Sequence, residues 1–151
     1  MATVWTLDED KLITQLERPV KDLQDLGIPN AAQIVEDLPE GERQILTVQS
    51  YTMIGANWRA SSADPNAQCQ PHIQLRGTPS PSSKVTNGYI RFVDVQVLRT
   101  PSYSARHKQI NLFMDYRAMP QILEQLQHAQ RYLWVGHFAN GHIYGDLHSA
   151  P

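Results

Sequence analysis

The sequence predicts an α+β fold: one antiparallel sheet of about five or six strands, an amphipathic helix over 119–131 on one sheet face, N-terminal helices on the sheet or its edge, and a C-terminal β-hairpin. Three observations predict it. Acidic residues and helical apolar spacing dominate residues 1–40. β-Branched and aromatic residues, partly in strict alternation, dominate the middle of the chain. An Asn140-Gly141 dipeptide separates two apolar-rich runs near the end.

In the first segment, Thr6 and Glu9 have the spacing of a capping box. Leu12, Ile13, Leu16, Val20 and Leu23 follow at helical intervals, with the acids on the other face. Pro19 has no N–H and disfavours helix at Arg18, so a break or kink is expected there. Gly27 and Pro29 end the segment, and Asn30 caps a short helix through Leu38. Residues 44–58 then read as a long strand that Gly55 can bend. Residues 60–71 form a polar loop, 72–76 a short strand, and 78–83 a Pro/Ser-rich turn region. Tyr89 to Arg99 reads as a strand with Val93, Val95 and Val97 on one face. Pro101 to Arg106 turns the chain into a strand over 108–115. Pro120 suits a first helical position, and Met119, Ile122, Leu123, Leu126 and Ala129 share one helical face.

For the hairpin, a two-residue type I′ turn at Asn140-Gly141 pairs Ala139 with His142 and Gly136 with Gly145. One face then carries Trp134, Phe138, Ile143 and Leu147. The other carries Val135, His137, His142, Tyr144, Asp146 and His148. The opposed glycines leave a gap for a close approach, either by a backbone or large side chain or by a ligand.

With 151 residues, 41% apolar and 19% charged, the chain reads as a single domain over 1–151, an acidic helical segment (1–40) followed by a sheet-plus-helix core (44–151). No apolar run approaches the roughly 20 residues of a membrane span. The N-terminus lacks a basic, then apolar, leader pattern, so a cytoplasmic protein is expected. Cys69 is the single cysteine, which excludes an internal disulfide and reads as an incidental thiol before a reactive one. Charge is unevenly spread: residues 1–45 hold ten acids against four bases, and residues 46–151 hold five acids against nine bases. Such asymmetry fits either docking of the two parts on each other or a polyanion-binding face on the second part.

No glycine-rich phosphate loop, nucleophile elbow, zincin motif or cysteine pair occurs. His137, His142, Asp146 and His148 are good metal ligands by type. However, His142 and Asp146 lie four residues apart on one strand, about 13 Å, so at most two of the set meet. No cofactor is implied. Arginines interleaved with aromatics are the second feature: Arg91, Arg99, Tyr103, Arg106 and Lys108, among others, suit phosphate contacts and base stacking. These features lead to a non-catalytic interaction module, a protein-binding adaptor or assembly subunit whose partner is another protein or, through an edge strand, a second copy of itself. Single-stranded nucleic-acid binding and a metal-dependent hydrolase remain as alternatives.

Overall fold

A computed structural model of the chain describes residues 8–23, 37–55, 57–58, 68–69 and 71–150. The Thr6 cap, the Gly27 stop, the helix from Asn30 and most of the 60–71 loop lie outside the described residues.

Helix α1 spans Glu9–Leu23. Asp8 caps it, its carboxylate accepting from the Asp10 N–H at 2.9 Å. Leu12 and Leu16 point from α1 onto Ile45, Tyr132 and Trp134, and burying each such leucine contributes about 1.5–3 kcal/mol. The helix runs on through Pro19, where the sequence predicted a break. Proline's fixed φ is itself helical, so the missing N–H removes one bond without ending the helix.

Nine strands follow among the described residues: β1 (Arg43–Ile54), β2 (Asn57–Trp58), β3 (Gln68–Cys69), β4 (His72–Pro79), β5 (Asn87–Val93), β6 (Ser102–Ser104), β7 (Gln109–Asp115), β8 (Gln130–His137) and β9 (Ile143–Ala150), with α2 (Met119–Gln125) before β8. Seven of them form one sheet in the order β6-β7-β5-β4-β1-β8-β9, and β2 pairs with β3 alone. The main sheet thus has seven strands where five or six were expected. Its pairings are antiparallel except β5 with β7, which is parallel. The short β6 lies in the stretch expected to turn, and it occupies the outer edge of β7.

The sheet curls until its two ends meet. A Cβ on Gly88 of β5 would fall 2.1 Å from Leu133 of β8, and one on Gly145 of β9 would fall 2.7 Å from Leu112 of β7. The main core fills the inner face, where Leu46, Ile73, Ile90, Phe92, Leu112, Leu133 and Leu147 pack with Ile122 and Leu126 of α2. On the outer face, α1 packs over the β1–β8 region through the second apolar cluster.

Three further expectations are corrected. Helix α2 ends at Gln125, not near 131, and Gln130 already belongs to β8. Met119, Ile122, Leu123 and Leu126 keep the predicted apolar face, whereas Ala129 is exposed. Arg131 closes the short helix by donating to the Leu126 carbonyl at 2.7 Å. The 89–99 strand stops at Val93, because the Asp94 carboxylate accepts from Gln96 N and starts a 3-10 turn over Val95–Val97. Val95 is consequently 51% exposed instead of sharing a sheet face with Val93.

The hairpin register is also slipped by one residue. Trp134 pairs with Asp146, Val135 with Gly145, and Gly136 with Tyr144. A three-residue 3-10 turn, Ala139–Gly141, connects the strands, and Gly141 adopts φ 75°. The dipeptide thus marks a turn containing a positive-φ glycine, but a three-residue one, and the extra residue flips β9 relative to β8. Each glycine gap is filled by large side chains, Gly136 by the Trp134 and Phe138 rings and Gly145 by Leu112. No helix among the described residues is long and apolar enough to cross a membrane.

Candidate nucleic-acid interface

Pairing registers define which side chains share the outer face away from α1. In β5, Gly88, Ile90 and Phe92 are buried, so Asn87, Tyr89, Arg91 and Val93 point outward. Across the pairings, His72 lies beside Arg91 and Gln74 beside Tyr89 on β4. On β7, Asn111 lies beside Tyr89 and Phe113 beside Arg91. Ser102 and Ser104 of β6 extend this face past Asn111 and Gln109.

Arg91 is the centre of this face. Its guanidinium carbon lies 4.8 Å from the Tyr89 ring centroid and 5.9 Å from that of Phe113. Its Nη1 donates to Asn111 Oδ1 at 3.0 Å, and Gln109 donates to the same oxygen at 2.6 Å. Arg99 approaches Phe113 from the loop before β6, 5.9 Å from the ring centroid. His72 tilts against Tyr89 with 5.9 Å between ring centroids. Arg76, exposed on β4, borders a cavity of about 370 Å³ shared with Gln74, Asn87 and Tyr89. Asp115 is the acid on these outward positions of β4, β5 and β7, and Arg117 neutralises it at 2.8 Å. That hydrogen-bonded guanidinium holds the Asp115 carboxyl below its usual value. A planar cation between rings, with amides at its rim, matches what phosphates and bases bind; Asp94 at the end of β5 and Asp37, which borders the Arg99–Phe113 cleft, are acids beside it.

The five residues singled out by sequence do not form one patch. Arg91 and Arg99 meet at Phe113. Arg106 and Lys108 are exposed in the turn before β7, at its other end. Tyr103 faces inward and joins the main core at 5% exposure, where burial, then Asp37, pushes its hydroxyl pKa up. Sequence reasoning missed His72, Gln74, Arg76, Gln109 and Asn111. Alternation marks them as outward on each strand, but nothing local says that β4, β5 and β7 are neighbours.

The four candidate ligand residues divide between the two sheet faces. His137 is buried on the inner side, with Nδ1 2.7 Å from the Leu38 carbonyl oxygen. His142 is buried beside the turn, its carbonyl accepting from Phe138 N at 2.7 Å. Asp146 and His148 share the outer face, 4.0 Å apart. Asp146 also accepts from the Trp134 indole N–H at 2.6 Å. Hydrogen bonding to Asp146, against the opposing effect of burial, raises the His148 pKa. Among the described residues no group of three or more His, Cys, Asp or Glu side chains converges as a metal site.

The β9 edge is partly occupied as well. Gln125 of α2 donates its side-chain amide to the Leu147 carbonyl at 3.0 Å, so the middle of that strand does not present an empty acceptor row to a partner strand.

No protein-family model matches the chain, and no curated protein or solved structure matches it either.

Proposed function

We propose that the protein is a non-catalytic, cytoplasmic binding module that takes single-stranded nucleic acid on the uncovered outer face of β4, β5 and β7. The observation carrying this reading is Arg91, held 4.8 Å over Tyr89 and 5.9 Å from Phe113 on the outer face of these strands. Arg76, Arg91 and Arg99 would supply phosphate contacts, while Tyr89 and Phe113 with their stacked guanidinium would supply base stacking worth about 1–3 kcal/mol per base. Rigid strands carry most of these groups, so little ordering entropy opposes binding.

The test is fluorescence anisotropy of a labelled mixed-sequence single-stranded oligonucleotide at several salt concentrations. Three arginine contacts predict a log–log salt slope of about −2, and Arg91→Ala should flatten it by about 0.7. Absence of binding at low salt, or affinity indifferent to replacing all three arginines, would refute the reading.

A second reading, a protein-binding adaptor or assembly subunit, rests on a different observation. Val95, Leu98 and Tyr116 are 51%, 45% and 40% exposed in the segments that follow the parallel strands β5 and β7. Apolar groups this exposed suit a protein partner, a second copy included. Concentration-dependent light scattering of wild type and Leu98→Ser separates the two readings, since oligonucleotide binding through the arginine face does not need Leu98. The metal-dependent hydrolase has no comparable support, because the register sends His137 and Asp146 to opposite faces.

A further inference from the structure

The contact between α1 and the β4–β5 connection carries a separate inference. Thr78, Ser80, Ser82 and Ser83 put four hydroxyls within six residues of that connection. Three are built into the sheet. Thr78, at the end of β4, pairs with Thr47 of β1. Ser80 is buried, donates its N–H to the Ile45 carbonyl and shares a 2.7 Å hydrogen bond with Ser83. Ser83 Oγ accepts from Ile45 N at 2.9 Å.

Ser82 differs. It is exposed, in a turn after Pro81, and both its polar donors go to one side chain. The Ser82 N–H donates to one Glu9 carboxylate oxygen at 2.9 Å, and its hydroxyl donates to the other. Glu9 opens α1, so this two-point bond ties the start of the helix to the end of the sheet.

We propose that Ser82 is a phospho-acceptor site and that its phosphorylation releases α1 from the sheet. A protein serine kinase using Mg-ATP would form the bond from Ser82 Oγ to the γ-phosphorus. The bond from that phosphorus to the β,γ-bridging oxygen breaks, ADP leaves, and the hydroxyl proton passes to the kinase's base. The Ser82 hydroxyl is thereby lost as a donor, and a group of charge near −2 replaces it.

Charge decides the consequence. The new phosphate would stand against the Glu9 carboxylate that Ser82 now bonds, with Asp10, Asp37 and Glu42 bordering the same cleft; Arg43, whose charge acts on Glu9, and the roughly half unit of positive charge of a helix N-terminus offset only part of this. Repulsion therefore wins over the helix dipole. Lys84 and Lys108 border the same cleft as Glu9 and Ser82, and they draw the phosphate away from α1. What α1 leaves behind is the apolar cluster of Ile45, Tyr132 and Trp134 that Leu12 and Leu16 cover, a surface that is closed to solvent while the latch holds.

The experiment has two arms, both on the full chain. In the first, the folded protein is incubated with a panel of serine/threonine kinases and Mg-ATP, and phosphate is mapped by mass spectrometry. Phosphate on Ser82, with Ser80 and Ser83 unmodified, is expected, and its absence from Ser82 overturns the site. In the second, amide hydrogen exchange over residues 12–16 is compared in Ser82→Glu, Ser82→Ala and Ser82→Glu/Glu9→Gln. Exchange in Ser82→Glu should be on the order of tenfold faster than in Ser82→Ala, with Glu9→Gln restoring most of the protection. Equal exchange in Ser82→Glu and Ser82→Ala would reduce Ser82 to an ordinary surface hydroxyl and overturn the release.

Discussion

Removing Arg131 should loosen the join between α2 and the sheet. Its guanidinium donates to the carbonyl of Leu126 at 2.7 Å, of Val48 at 3.2 Å and of Gln49 at 3.3 Å. Leu126 follows α2, where helix carbonyls lack intrahelical partners. Val48 and Gln49 sit at a register irregularity in the β1–β4 pairing, between Val48 and Ser50. One side chain thus bonds acceptors at the end of the helix and at the irregular stretch of the ladder. It also lies 5.7 Å from the Tyr51 ring centroid, whose hydroxyl accepts from Gln127 at 2.9 Å. Hydrogen bonds to a charged donor contribute about 1.5–3 kcal/mol each. The Gln49 bond is exposed and water can replace it. The buried Nε has no partner, which offsets part of the gain. The expected loss for Arg131→Ala is therefore about 2–3 kcal/mol, a fall in Tm of about 5–10 °C for a chain of this size. Urea unfolding followed by far-UV circular dichroism measures it, and the midpoint should fall with m unchanged. Arg131→Lys should recover less than half, because one ammonium cannot span the three acceptors. A loss under about 0.5 kcal/mol, the range of ordinary surface substitutions, would refute the clamp.

Two further outcomes follow from the same structure. Gly77→Ala should destabilise the chain by more than about 3 kcal/mol, beyond ordinary overpacking, because the new Cβ would fall 1.8 Å from the Thr47 carbonyl oxygen, which is backbone and cannot swing aside; a urea midpoint within error of wild type would contradict the close approach of β1 and β4. The His148 pKa is raised above its ordinary 6.5 by hydrogen bonding to Asp146, so its contribution to stability is full below pH 6.5 and is lost as pH rises through the folded value; a proton NMR titration of the ring should show the raised value and its return toward 6.5 in Asp146→Asn, whereas an unchanged titration would dissociate the pair.

The elements were legible where one local rule had no competitor. Leu12 and Leu16 mark the buried face of α1, whereas in β5 the alternation was read from Val93, Val95 and Val97 and burial falls instead on Ile90 and Phe92. The expectations failed where a side chain outside the local pattern intervened. Asp94 stops β5 by capping a 3-10 turn, and Arg131 takes the carbonyl at which α2 ends. Asn140-Gly141 is the sharpest instance. The dipeptide fits hairpin loops of either two or three residues, and the choice between them reverses every side chain of β9.

By itself, then, the sequence determined the α+β character, the amphipathic α1 and the presence of a final hairpin. These follow from spacing along one strand or helix, and backbone geometry fixes such spacing. Tertiary structure alone decided the hairpin register, the parallel pairing of β5 with β7, and the meeting of Arg91 with Phe113 and of Glu9 with Ser82. Those contacts join residues far apart in the chain. The burial of the whole sheet selects among pairings that are locally equivalent, and no short window of sequence contains that choice.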